Sequence, residues 1–291
     1  MEITFQADKK HRDKYFTGIS FSHPAKMMLP LQRWIVERYT DPGETILDPM
    51  AGSGTILIAC TMGRHVVCLE LEEKFVQMQR DNWTKIQTLG SEMGYSMGTA
   101  TILQGDARNL EGVCDSIISS PPYGNRLSDT EVDDNDPQRM SYRQALGKVD
   151  KIITSPPYEE GGGHGRGKAL NIIKEKAIYT KGAGMYSDSK ENIGEMRGET
   201  YLSAMLQVYQ ECHKVLKPQG LLILVTKNFI RNKQEVRLDE DTIKLCEKAG
   251  FTFIERHYRK LTSQSFWRVI YRQKYPDAPV LDKEDILVFK K

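Results

Sequence analysis

Residues 45–55, Thr45-Ile46-Leu47-Asp48-Pro49-Met50-Ala51-Gly52-Ser53-Gly54-Thr55, run from a short apolar strand into a glycine-rich turn. Glycines at 52 and 54 let backbone come close to a ligand, where a Cβ would obstruct it. His65-Val66-Val67-Cys68-Leu69 reads as a second buried strand ending at Glu70, roughly 20 residues after the turn. A carboxylate there accepts hydrogen bonds from ribose hydroxyls, in an NAD site or an S-adenosylmethionine (SAM) site alike. Further on, Ser120-Pro121-Pro122-Tyr123 and Ser155-Pro156-Pro157-Tyr158 each follow an apolar strand. Paired prolines stiffen the backbone, so groups beside them are aimed before a reaction starts. A rigid turn is the plainer explanation of one copy, but two copies beyond paired strands are harder to explain that way.

On these motifs the chain resembles the SAM-dependent DNA amino-methyltransferases, over most of residues 20–290. That family pairs Asp-Pro-Phe-x-Gly-Ser-Gly with a later (Asp/Asn/Ser)-Pro-Pro-(Tyr/Phe/Trp); here Met50 replaces the usual Phe. The Ser-Pro-Pro-Tyr form is most similar to the members that make N4-methylcytosine. The resemblance implies SAM as cofactor, DNA as partner and, in a restriction-modification setting, a cognate restriction endonuclease. It also implies an α/β fold: a doubly wound, mostly parallel seven-stranded Rossmann-like sheet with an antiparallel C-terminal strand pair. Cofactor-binding positions carried over are His23, Lys26, Asp48, Pro49, Met50, Ala51, Gly52, Ser53, Gly54, Thr55, Glu70, Leu71, Asp106 and Ala107. Asp106 serves equally well as a helix N-cap.

In such a site an exocyclic amine is a poor nucleophile, because its lone pair is delocalised into the ring. Acceptors on its hydrogens, the serine hydroxyl and the first proline carbonyl, draw the nitrogen towards a tetrahedral geometry. The tyrosine stacks on a base that has left the duplex. Serine is a weak base, so its role is orientation rather than proton abstraction. Both Ser120, Pro121, Pro122, Tyr123 and Ser155, Pro156, Pro157, Tyr158 are catalytic candidates. Only one strand fits beside the first at the switch point of a parallel sheet. The short gap from Asp106 favours the first copy, with the second lining the same cleft. Adenine N6, an RNA base, or an inactive nucleic-acid-binding protein are alternatives to cytosine N4.

The elements that must position these groups are legible in outline. A helix from about His23 to Tyr39 precedes the glycine turn; in the family it encloses the methionine end of SAM, and otherwise it simply packs. A helix over 72–88, a strand at Ala100–Leu103, and strands before each Ser-Pro-Pro-Tyr follow. Glu199–Leu216 is an amphipathic helix, stopped by Lys217-Pro218-Gln219-Gly220, and Leu221–Val225 a buried strand. Asp239–Ala249 is the next helix. Phe251–His257 and Phe266–Tyr271 read as an antiparallel pair, with Ile286–Phe289 as a last edge strand. Residues 1–22 are polar, an arm or a short edge element.

One catalytic domain over 1–291 is expected, with inserts at 124–148 and 159–199 as candidate target-recognition regions. The second begins Gly161-Gly162-Gly163-His164-Gly165-Arg166-Gly167, too glycine-rich to hold one conformation alone. Net charge is only +2, so a nucleic-acid surface needs local segregation of charge. Lys227, Asn228, Arg231, Arg259 and Lys260 are the substrate candidates; a solvated edge hairpin is the alternative. Five cysteines without a Cys-x-x-Cys pair suggest neither disulfides nor zinc, and fit a reducing cytoplasm. None follows a proline at the motif position, which disfavours methylation at carbon 5 of cytosine. No metal, membrane span or secretory signal is expected.

Overall fold

The computed structural model describes residues 1–6, 8–23, 26–110, 149–157, 192–193, 196, 198–261 and 273–291. Its strands alternate between two buried faces, the pattern of a sheet covered on both sides. Along β2 (Thr45–Asp48), Ile46 joins one core cluster and Leu47 the other. β5 (Val149–Thr154), β6 (Leu216–Thr226) and β10 (Lys283–Lys290) do the same through Ile152/Ile153, Leu222/Ile223 and Leu287/Val288. One face is packed by α2 (Leu29–Tyr39) and the segment Thr55–Met62. The other is packed by α4 (Glu199–Val215), which contributes Tyr201, Val208 and Tyr209.

These strands belong to an eight-stranded sheet. From one edge its order is β4 (Ala100–Gln104), β3 (His65–Glu70), β2, β5, β6, β10, β9 (Thr252–Lys260) and β1 (Glu2–Ile3). β4, β3, β2, β5 and β6 are mutually parallel, while β10 runs antiparallel to both β6 and β9. The chain winds outward from β2 to β4 and returns on the other side through β5 and β6. The switch point therefore opens at the carboxyl ends of β2 and β5.

The architecture is the expected α/β, doubly wound sheet with an antiparallel strand pair. Three expectations are corrected, the first being the strand number, which among the described residues is eight rather than seven. The slot beside β2 is filled by β5, so it is the second Ser-Pro-Pro-Tyr copy that this slot delivers. Ser120–Tyr123 and its strand lie outside the described residues. Ile286–Phe289 is not an edge strand: β10 inserts between β6 and β9, and the antiparallel partner of β9 is β10. Its run Ile286-Leu287-Val288-Phe289 is wholly buried, as both faces of an interior strand are. The 266–271 segment lies outside the described residues, and among those described the edge is β1, paired parallel to β9.

The apolar stretch after the glycine turn forms 3-10 turns over Thr55–Met62 rather than an α-helix. Thr55, Ile56, Ile58 and Thr61 are β-branched, and Gly54 and Gly63 both take left-handed conformations at its two ends. α3 spans Glu73–Leu89 and α5 Leu238–Lys248, close to expectation. The polar N-terminus is more structured than an arm. α1 (Lys9–Tyr15) and a 3-10 turn (Gly18–Ser22) precede α2, and α1 buries Arg12. No helix among the described residues is long and apolar enough to cross a membrane.

Candidate cofactor and methyl-transfer site

At the carboxyl ends of β2, β3, β4, β5 and β6 lies a cavity of about 360 Å³. The glycine turn forms its floor. Gly52 has φ +52°, and a Cβ there would come within 2.9 Å of the His23 ring. Glycine at this position is thus required by the packing of His23 as well as by backbone conformation. Two amides of α3 brace the turn: Gln79 Nε2 donates to the Gly52 carbonyl at 2.9 Å and Asn82 Nδ2 to the Ser53 carbonyl at 2.9 Å. Glu70 closes β3 and accepts from Gly52 N–H at 2.9 Å and from Glu72 N–H at 3.1 Å. The carboxylate still has acceptor capacity for a further donor.

Three carboxylates differ in environment. Burial pushes Asp48 up to about 7, helped by the charge of Glu70 and opposed by Thr154 and the Met50 N–H. Burial also raises Glu70, against the backbone N–H groups of Glu72, Gly52 and Leu71 that stabilise its charge. Burial would raise Asp106 too, but Arg108 outweighs it and holds the group below the usual carboxylate range. The Arg108 guanidinium grips both Asp106 oxygens, with Nε at 3.0 Å from each. Asp106 remains on the cavity wall with an internal cation already engaged.

The proline motif enters from β5. Ser155 Oγ donates to the Val225 carbonyl at 3.2 Å, so the hydroxyl proton points into the protein and the oxygen lone pairs stay available as acceptors. The Pro157 carbonyl accepts from the buried Tyr201 hydroxyl at 2.7 Å, which ties the motif to α4. No described residue donates to the Pro156 carbonyl. Ser155, Pro156 and Pro157 line the cavity, and Tyr158 lies outside the described residues.

Of the positions expected at the cofactor, Gly54 alone does not line the cavity. The substrate candidates separate. Lys227 lines it, 3.6 Å from Glu284, which also lines it and pairs with Arg259 at 2.8 Å. Asn228 does not line the cavity. Its amide donates to Glu235 at 2.7 Å and its oxygen accepts from Asp239 N–H at 3.1 Å, joining the hairpin β7 (Phe229–Arg231) and β8 (Gln234–Val236) to the start of α5. Arg231 lies over the Phe229 ring at 5.2 Å, and Lys260 sits at the β1 edge near Glu2, both away from the cavity. Sequence reasoning missed Gln32, Glu284, Asn192 and Ile193 as wall residues. Glu284 was hidden by the edge assignment of its strand. Asn192 and Ile193 belong to the second insert, whose remaining residues up to 191 lie outside the described set, as does the whole of 124–148. Among the described residues no three His, Cys, Asp or Glu side chains gather as a metal site would.

Residues 20–136 match the family model UPF0020, described as RMKL-like, methyltransferase domain. The chain is 32% identical over 108 residues to the tRNA (guanine(10)-N2)-dimethyltransferase of Methanothermobacter thermautotrophicus. That match covers 36% of this chain and 30% of the relative, so the chain aligns with less than a third of that protein. Among solved structures, TrmN from Thermus thermophilus superposes with a TM-score of 0.43 at 15% identity, covering 94% of this chain and 52% of that one. A SAM-dependent methyltransferase from Methanosarcina mazei gives 0.45 at 10% identity, covering 88% and 96%. The cofactor of this site is SAM. The glycine turn with its positive φ, the Glu70 carboxylate with its remaining acceptor capacity and the cavity reaching from Asp106 to Ser155 suit that molecule.

Proposed function

We propose that the chain is a SAM-dependent methyltransferase acting on an exocyclic amine of a nucleobase in RNA, with guanine N2 of tRNA as the first candidate. The observation that carries it is the Ser155 hydroxyl. Because its proton is spent on the Val225 carbonyl, it faces the cavity as an acceptor, beside a proline carbonyl held rigid by its neighbours. Two such acceptors suit the two hydrogens of an amino group and orient its nitrogen lone pair. SAM, when bound, supplies an electrophilic methyl: the nitrogen–carbon bond forms as the carbon–sulfur bond breaks, and the amine proton leaves to solvent. Tyr201 keeps the proline segment from shifting, and burial holds the Asp48 and Glu70 carboxyls beside the glycine turn above their ordinary values.

RNA is preferred over DNA because the curated relative, matched over 108 residues, acts on tRNA guanine. Duplex DNA with cytosine N4 as target is the second reading, favoured by the serine form of Ser155-Pro156-Pro157-Tyr158. Incubation with tritiated SAM and either tRNA or duplex DNA, followed by nucleoside mass spectrometry, separates them. The expected product is N2-methylguanosine in RNA. N4-methylcytosine or N6-methyladenine confined to DNA would overturn the RNA assignment.

A further inference from the structure

Most acidic side chains of the cavity wall, Asp48, Glu70, Glu72 and Asp106, stand at or just past the ends of β2, β3 and β4. Glu284 stands apart from them, near the start of β10. Strand register puts it there. β10 lies between β6 and β9, with Asp285 opposite Thr226 and Glu284 opposite Arg259. Its carboxylate therefore has a cation on either hand: Arg259 Nη2 lies 2.8 Å from Oε2 and Lys227 Nζ 3.6 Å from Oε1. The second contact is longer than a hydrogen bond, and a carboxylate accepts at about four lone-pair sites, so Glu284 has acceptor capacity beyond these two partners. Its side chain is only 16% exposed, which makes an acceptor facing another acceptor costly. Phosphate is disfavoured on the same ground, because the two cations that would draw a nucleic-acid backbone here are paired with Glu284. A donor-bearing edge of a base suits the position instead.

The sheet also sets how far Glu284 stands from the serine that orients the amine. Ser155 bonds the Val225 carbonyl of β6, and β5 and β10 flank β6. Two strand spacings of about 4.8 Å put the two backbones roughly 10 Å apart, a gap that one base bridges with a hydrogen bond at each side. The bases with an exocyclic amine differ at the ring nitrogen beside it. Guanine carries a donor there, N1–H next to the N2 amine. Cytosine carries an acceptor, N3, and adenine another, N1. We propose that Glu284 determines base specificity, accepting from guanine N1–H while Ser155 accepts from the adjacent amine, and turning away cytosine and adenine by setting acceptor against acceptor. This rests on the guanine N2 reading and adds which group selects the base.

The test compares two tRNAs that differ at one base. Fragment mass spectrometry of the wild-type product locates the methylated guanosine, and a second tRNA is assembled with 2-aminopurine at that position. 2-Aminopurine keeps the 2-amino group but presents an unprotonated N1. Wild type should prefer guanosine by about 100-fold in kcat/KM. Glu284→Gln, whose amide offers N1 either its oxygen or its NH2, should narrow that preference to about fivefold or less, with S-adenosylhomocysteine affinity within about twofold of wild type by calorimetry. A residue that only anchors Arg259 would lower both rates together and leave their ratio alone. Should Glu284→Gln not bind S-adenosylhomocysteine, Glu284→Asp takes its place with the same expected narrowing, since it keeps the charge beside Arg259 and Lys227 but withdraws the oxygens by one methylene. An unchanged ratio in the variant, or a wild type that methylates both tRNAs alike, would overturn the proposal. A wild-type product without N2-methylguanosine would instead sink the guanine reading, and the assignment with it.

Discussion

Asp48 carries the largest electrostatic tension in the site. Its ordinary value is 3.8, and burial lifts it to about 7 in the folded chain. Folding therefore takes up a proton between those values, so this group's contribution favours the fold at low pH and is lost as pH rises towards 7. Asp48→Asn should flatten the pH dependence of stability across that window. Relative to wild type it should gain on the order of 3 kcal/mol between pH 4 and pH 8. Urea unfolding at the two pH values measures it, and an unchanged difference between wild type and variant would refute the raised value. Gly52 is the other residue at which chemistry and packing coincide, since the conformation that opens the turn also makes room for His23. Asp48, Gly52 and Glu70 were legible in the sequence because their roles follow from residue type at a strand end. Gln32 was not, because inside an apolar helix face a glutamine reads as a tolerated polar residue. Only its burial and open amide set it apart.

At the scale of elements, two braces make opposite demands on function. Tyr201 on α4 holds the Pro157 carbonyl at 2.7 Å. Tyr201→Phe should cost about 1 kcal/mol of stability and lower kcat several-fold while leaving SAM affinity unaltered, since only the amine-orienting segment loosens. Single-turnover rates beside calorimetric SAM titration separate the two effects. Asn228 ties the β7–β8 hairpin to α5 through two hydrogen bonds. Asn228→Ala should cost about 1 to 2 kcal/mol in thermal unfolding but leave RNA affinity unchanged in filter binding. The hairpin escaped sequence reading because its turn, Asn232-Lys233, puts a lysine at φ +65° where a glycine would have announced it. The parallel core was legible from its continuous apolar strands. The placement of β10 was not, because an interior and an edge strand of four apolar residues look alike until their neighbours are known.

For the whole molecule, the consequence lies in the strand order. A doubly wound sheet has one opening where its winding reverses, and whichever segment fills the slot beside β2 delivers its loop onto the cofactor. Both Ser-Pro-Pro-Tyr copies carry the same local chemistry, and loop length alone pointed to the first. Pairing of Ile46 with Lys151 and Leu47 with Ile152 gives the slot to β5, which long-range register decides and sequence spacing does not. Net charge of +2 leaves substrate affinity to local groups, and at the cavity Lys227 and Arg259 share one carboxylate, Glu284. The account turns on Ser155 as the acceptor that orients the amine. Its most direct test is the single-turnover methylation rate of Ser155→Ala beside Ser120→Ala at saturating SAM. The rate should fall about 30-fold or more in the first and less than about threefold in the second, with SAM affinity intact in both. A large loss in Ser120→Ala with Ser155→Ala close to wild type would contradict it.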